Sequence, residues 1–188
     1  MNSLPAFELR DSRGATRSFP SKRAALLCFV KEDCRTCGLT MPLIEAAHRT
    51  FGAAVDVWAI VQDAEGNAKL VERFALTVPM LDDSALKVSF DYTLDTVPTI
   101  ILADVHGHET RRFVGFGRDD WREMFAELAR QSDVAAPPID WNSYPESRPG
   151  CGSRFLMRAR ADCTCSMLAL RPRAMSGSLR LESASMQS

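Results

Sequence analysis

Long apolar runs are missing from this sequence. The longest, such as residues 24–30 (AALLCFV), are strand-sized and stop at Lys31, far short of the roughly 20 residues a helix needs to cross a bilayer. No membrane-spanning segment is expected. An excess of charge of either sign is missing as well. The 23 Lys and Arg against 24 Asp and Glu leave a net charge of -1, so no basic field holds the protein on a phosphate backbone or an anionic membrane. Nucleic acid and membranes are therefore not expected as partners. The opening residues MNSLPAFEL carry no basic cluster ahead of an apolar stretch of about 7–15 residues, and the expected location is cytoplasmic.

Histidine is scarce, with three residues at 48, 106 and 108, and the six cysteines at 28, 34, 37, 151, 163 and 165 are too few and too unevenly spaced for a disulfide scaffold. A zinc site would need two more ligands beside a C-x-x-C pair, and no second such pair stands near the first. His106-Gly107-His108 alternates like a ligand pair, but it sits where a turn is expected.

What is present is an α/β pattern. Residues 7–19 enclose Asp11-Ser12-Arg13-Gly14 and predict an N-terminal β-hairpin. Residues 24–30 are a continuous apolar run, as in a strand buried on both faces of a parallel or mixed sheet, and 55–61 (VDVWAIV) are a second candidate for a buried strand. From Cys34 the apolar residues Leu39, Leu43, Ala46, Ala47 and Phe51 recur at helical spacing up to Gly52. A second helix is expected over 64–76, a short extended piece over 79–82 and a helix over 84–90. A strand over 99–103 turns through 104–108 into a strand over 109–114.

The closing helix spans 119–130 and carries Trp121, Met124, Phe125 and Leu128 on one face. Trp58, Trp121 and Phe125 are expected in the core. Residues 1–132 are thus read as one domain. Residues 133–188, rich in proline at first and with six Arg against two acidic residues from 151 onward, are read as an irregular, flexible C-terminal extension.

The chemistry centres on Cys34-Arg35-Thr36-Cys37. A strand leading into C-x-x-C at a helix start places the first thiol where unpaired N–H groups and the positive end of the helix dipole stabilise a thiolate. Cys37, one turn further in, is placed to attack a mixed disulfide formed at Cys34. Arg35 and Lys31 should lower the Cys34 pKa while Glu32 and Asp33 should raise it, which leaves the sign of the shift open. Cys28 reads as a small core residue. Cys151, in Pro-Gly-Cys-Gly-Ser, reads as an ordinary thiol of the extension, with a relay to the active site as the alternative. Cys163-Thr164-Cys165 stands in weakly patterned sequence.

The segment Phe29-Val30-Lys31-Glu32-Asp33-Cys34-Arg35-Thr36-Cys37 and, about 60 residues on, Thr96-Val97-Pro98-Thr99 before an apolar strand resemble the thioredoxin superfamily. Within it they are most similar to the TlpA-type and redoxin branch. The resemblance covers roughly residues 4–132. It implies a thioredoxin fold, a central mixed sheet flanked by helices, with Cys34 and Cys37 catalytic. It also implies a cis Pro98 packed against the cysteine pair and a Val97 backbone offered to substrate, with Arg35 and Thr36 beside it. Asp33 replaces the usual aromatic residue before the first cysteine, and the motif lacks its common proline.

The function expected from the resemblance is thiol–disulfide exchange on a protein or small-molecule disulfide, with an unidentified electron donor and no cofactor. Across this fold reduction potentials run from about -270 to -120 mV, so the direction of transfer stays open. One alternative is a peroxiredoxin-like peroxidase. That family has Thr three residues before its reactive cysteine and Pro four further back, where this chain has Lys31 and Leu27. The other is a binding module whose cysteines only sense redox state.

Overall fold

A computed structural model describes residues 3–155; Cys163, Cys165 and the remainder of the extension lie outside the described residues. The hairpin is formed by β1 (Phe7–Arg10) and β2 (Thr16–Phe19), with Phe7 opposite Phe19. Asp11 organises its turn by accepting the backbone N–H groups of Arg13 and Ala15 and the guanidinium of Arg17. Gly14 takes the φ of +83° that closes the turn.

Then follow β3 (Ala25–Val30), α1 (Arg35–Phe51), β4 (Asp56–Val61), α2 (Ala64–Phe74), β5 (Met80–Asp82), α3 (Lys87–Asp91), β6 (Thr96–Val97), β7 (Thr99–Ala103), β8 (Glu109–Val114), β9 (Phe116–Gly117) and α4 (Arg118–Ser132). Five of these strands form one mixed sheet in the order β5-β4-β3-β7-β8. β4 runs parallel to β3 and to β5, while β7 runs antiparallel to β3 and β8. β3 is central, and every residue in it is buried, which is why its sequence is continuously apolar rather than alternating. This is the thioredoxin fold, with helices flanking a central mixed sheet.

α1 buries Met41, Leu43, Ile44, Ala47 and Phe51, and α4 buries Trp121, Met124, Phe125 and Leu128. The two helices meet where the Phe51 and Phe125 rings lie 6.1 Å apart, and Trp121 packs edge-on against Phe113 of β8 at 5.5 Å. Trp58 also lies in the core. Among the described residues no helix is long and apolar enough to cross a membrane.

Two helices differ from the sequence pattern. α1 runs through Pro42, which removes one backbone donor from the helix interior; Pro42 is exposed. α3 begins three residues later than expected because the buried Asp83 carboxylate accepts the N–H groups of Val88 and Ser89 and the Ser89 hydroxyl. That arrangement fixes the helix start at Lys87.

Beyond Ser132 regular structure is sparse: a 3-10 turn at Trp141–Ser143 and the two-residue strands β10 (Ser147–Arg148) and β11 (Cys151–Gly152). From Ile139 onward, Ile139, Trp141, Tyr144 and Cys151 nevertheless pack against the core. β10 pairs with β9 and β11 with β6, both antiparallel. The Tyr144 ring stacks on Phe116 at 5.7 Å, and Trp141 packs against Phe125 at 6.0 Å. Proline and glycine keep this stretch out of long elements without keeping it off the domain.

Candidate active site

Cys34 follows the last residues of β3 and is the N-cap of α1. Its backbone is extended, and its Sγ accepts the Cys37 N–H at 3.3 Å. The helix start therefore holds both cysteines on one turn, as the spacing predicts. The Cys34 Sγ lies 3.6 Å from the carbonyl oxygen of Val97. The Val97–Pro98 peptide is cis, and both residues are buried. Of the expected site residues, Cys34, Cys37, Thr36, Val97 and Pro98 are brought together. Arg35 is exposed and lines a cavity of about 440 Å³ beside Cys34, with Glu32, Asp33, Arg73, Phe74 and Arg148.

Hydrogen bonding and burial set the two thiols apart. The Cys37 thiol acts most strongly on Cys34. Burial opposes it, but with the Cys151 thiol and the backbone N–H groups of Cys37 and Thr36 it brings Cys34 down to about 5. Cys37 moves the other way, pushed up by burial first and then by its hydrogen bond to Cys34 and the Cys34 charge. One nucleophile and one proton-bearing partner result. The local charges weighed in the sequence are not among the main causes, and Lys31 Nζ and Asp33 Oδ1 pair with each other at 3.5 Å.

Cys28 sits in the middle of β3 between Ala59 and Ile100 of the neighbouring strands, where burial pushes its thiol up. It is a core residue. His106 and His108 lie in the turn between β7 and β8, with His108 Nδ1 3.3 Å from Asp104 Oδ2.

The sequence did not disclose how residues 147–154 close over the cysteines. Cys34 is only 2% exposed. Thr36 Oγ1 donates to the Pro149 carbonyl at 2.8 Å, so a residue expected to face substrate holds the chain's own strap. Gly150 passes so close to β6 that a Cβ there would meet Val97 O at 2.6 Å and Thr96 Cγ2 at 2.4 Å. Only glycine permits that approach.

The far end of the strap is anchored through the buried Gln62 at the end of β4. Its Nε2 donates to Ser153 Oγ at 2.7 Å and Ser89 Oγ at 2.8 Å, and its Oε1 accepts the Arg154 N–H at 3.0 Å. Arg154 also approaches Asp33 at 3.5 Å and Asp63 at 3.4 Å. The one signal in the sequence is the pair of glycines flanking Cys151.

A five-stranded mixed sheet, a helix launched from C-x-x-C and a cis-proline turn facing it define a redoxin of the thioredoxin superfamily. The chain belongs to the AhpC/TSA family, which matches residues 1–111, and at that level it is an oxidoreductase. No curated protein sequence matches it.

Among solved structures it is similar to the thioredoxin domain of a thiol-disulfide oxidoreductase from Bacteroides vulgatus, at 19% identity and a TM-score of 0.58 over 68% of this chain and 95% of that one. It is similar to a thiol-disulfide oxidoreductase from Bacteroides fragilis, at 19% identity and a TM-score of 0.59 over 68% and 99%. It is also similar to a peroxidoxin from Mycobacterium tuberculosis, at 17% identity and a TM-score of 0.58 over 69% and 94%. At these identities the likeness is one of fold.

Proposed function

We propose that the protein is a dithiol–disulfide oxidoreductase that works through Cys34 and Cys37. The observation that carries this reading is the geometry of the two thiols: Cys34 caps the start of α1 with its Sγ accepting the Cys37 N–H at 3.3 Å, and hydrogen bonds from Cys37 hold it down at about 5 while the adjoining buried Cys37 is pushed up. A thiolate at neutral pH is the attacking species in exchange, and a neighbouring thiol that keeps its proton until a mixed disulfide forms is suited to resolve it.

Cys34 attacks one sulfur of the substrate disulfide, releasing the first substrate thiol. Attack by a thiol of the protein on the Cys34 sulfur then releases the second, and Cys37 ends bonded to Cys34 as the Cys34–Cys37 disulfide. A thiol donor returns it to the dithiol. Substrate, a protein or small-molecule disulfide, approaches from the cavity lined by Arg35, Arg73 and Arg148. An extended protein segment seeking the Val97 edge would first displace β11.

The family and the peroxidoxin likeness support a second reading, in which peroxide oxidises Cys34 to a sulfenic acid and Cys37 condenses with it. Lys31 and Leu27 weigh against it, since both are buried where that chemistry's Thr and Pro would stand. Turnover separates the readings. With dithiothreitol as donor, the protein should reduce many equivalents of insulin disulfide, and Cys34→Ser should abolish this. Equal rates for the wild type and Cys34→Ser would remove the proposal, and turnover of hydrogen peroxide without insulin reduction would favour the peroxidase.

A further inference from the structure

The Cys34 sulfur has two thiol neighbours, not one. Besides Cys37, whose N–H it accepts, the Cys151 thiol comes close enough to act on its protonation. The backbone explains the placement. In the pairing of β11 with β6, Cys151 stands opposite Val97, and Gly152 opposite Thr96. The Val97 carbonyl oxygen is the group 3.6 Å from Cys34 Sγ, so the strand that carries Cys151 is docked on the residue that Cys34 already touches.

The docking is built from several independent contacts. They are the Thr36 hydroxyl on the Pro149 carbonyl, the Ser153 N–H on the Asp95 carbonyl at 2.9 Å, and the Ser153 hydroxyl in the Gln62 amide network. Gly115, at φ +77°, packs its Cα side against Arg148 and Gly150, where a Cβ would meet the Arg148 carbonyl oxygen at 2.8 Å. Two close glycine contacts, a buried serine and a paired strand fix Cys151 beside the nucleophile. A thiol serving only as filler would need none of this.

We propose that Cys151 is a third redox thiol, the partially exposed resolving partner of Cys34, and that the disulfide passes from Cys34–Cys151 to Cys34–Cys37 within the chain. This rests on Cys34 being the exchanging nucleophile. Attack of Cys34 on a substrate disulfide gives a mixed disulfide and one substrate thiol. Attack of the Cys151 sulfur on Cys34 forms the Cys34–Cys151 bond, breaks the mixed disulfide and expels the second substrate thiolate, which takes up the proton Cys151 loses.

Cys37 then attacks Cys34 in turn. The Cys34–Cys37 bond forms, Cys151 leaves as thiolate and regains a proton, and the substrate has gained two electrons that a thiol donor later restores to the protein. The order follows from access. Cys37 is fully buried beneath the helix start, whereas Cys151 is partly exposed. Cys151 therefore meets a bulky mixed disulfide first.

The test treats the full chain with glutathione disulfide and maps the cysteine links by peptide mass spectrometry, comparing Cys37→Ser with Cys37→Ser/Cys151→Ser and Cys37→Ser/Cys151→Ala. In Cys37→Ser the expected product is a Cys34–Cys151 link. Glutathione retained on Cys34 should be at least about tenfold lower than in either double variant, because the docked thiol acts at a high effective concentration. Equal glutathione on Cys34 with and without Cys151, or a link from Cys34 to Cys163 or Cys165 instead, would overturn the proposal and leave Cys34 as the exchanging thiol. If Cys34 takes up glutathione in none of the variants and forms no link, the exchange reading itself fails, and this proposal with it.

Discussion

Cys151 faces Val97 across a two-residue antiparallel pair, and Val97 in turn sets its carbonyl oxygen 3.6 Å from the Cys34 sulfur. The pairing joins a cysteine of the C-terminal extension to the C-x-x-C motif more than 100 residues earlier in the chain. It also explains the low exposure of Cys34. Cys34 borders the cavity lined by Arg35 and Arg148, the side from which the proposed substrate approaches.

The state of Cys34 predicts a distinctive pH profile. Its pKa is lowered to about 5, so the thiolate predominates throughout pH 6.5 to 8.5. Alkylation of Cys34 by iodoacetamide, followed by peptide mass spectrometry, should be nearly flat over that range and fall below pH 5. An ordinary thiol with a pKa near 8.5 would accelerate about fiftyfold over the same range. The linkage sign follows: a lowered folded pKa stabilises the reduced protein above the unfolded thiol's pKa, and that contribution disappears as pH falls through about 5.

Gly150→Ala should loosen the strap. Its Cβ would press on the Val97 carbonyl oxygen at 2.6 Å, and relieving that overlap moves either β6 or the strap, at a cost of about 1–3 kcal/mol. Iodoacetamide should label Cys34 faster in the variant than in the wild type, at a pH where both are thiolate. Unchanged labelling would mean that the strap does not limit access.

Glu45 provides a prediction away from the cysteines. Burial raises its pKa, but hydrogen bonds from the Thr77 hydroxyl, Arg49 and the Thr77 and Val78 N–H groups outweigh burial and bring it to about 2. These bonds tie α1 to the chain entering β5. Glu45→Gln should cost about 2 kcal/mol at pH 7, measured by urea unfolding. Because the folded pKa is the lower one, the wild type should lose this advantage as pH falls from about 4.5 toward 2, so the two stabilities converge in acid.

The sheet and the cysteine helix were legible because their signals are local. β3 and β4 are buried on both faces and are written as apolar stretches, broken only by Asp56 at the start of β4, and Asp11 to Gly14 spells out its own turn. The α3 start lies three residues later than its pattern because the buried Asp83 carboxylate holds the Val88 and Ser89 N–H groups, which no nearby pattern announces. The strap was the larger gap. β9, β10 and β11 are two residues each, too short for any periodicity, and each is held by a partner distant in sequence.

Cys34 and Cys37 could be placed from spacing alone. The role of Thr36, turned to Pro149, and the presence of Cys151 at the site depend on long-range pairing. The sign of the Cys34 shift was undecidable from charges in the sequence because hydrogen bonds outweigh them.

The most direct measurement is a redox titration of the Cys151→Ser protein in dithiothreitol buffers, trapped by alkylation and mapped by peptide mass spectrometry. The account predicts that Cys34 and Cys37 lose their alkylation sites together, in one two-electron step, with a Cys34–Cys37 peptide as the oxidised product. Oxidation of Cys34 without Cys37, or no Cys34–Cys37 link at any potential, would contradict it.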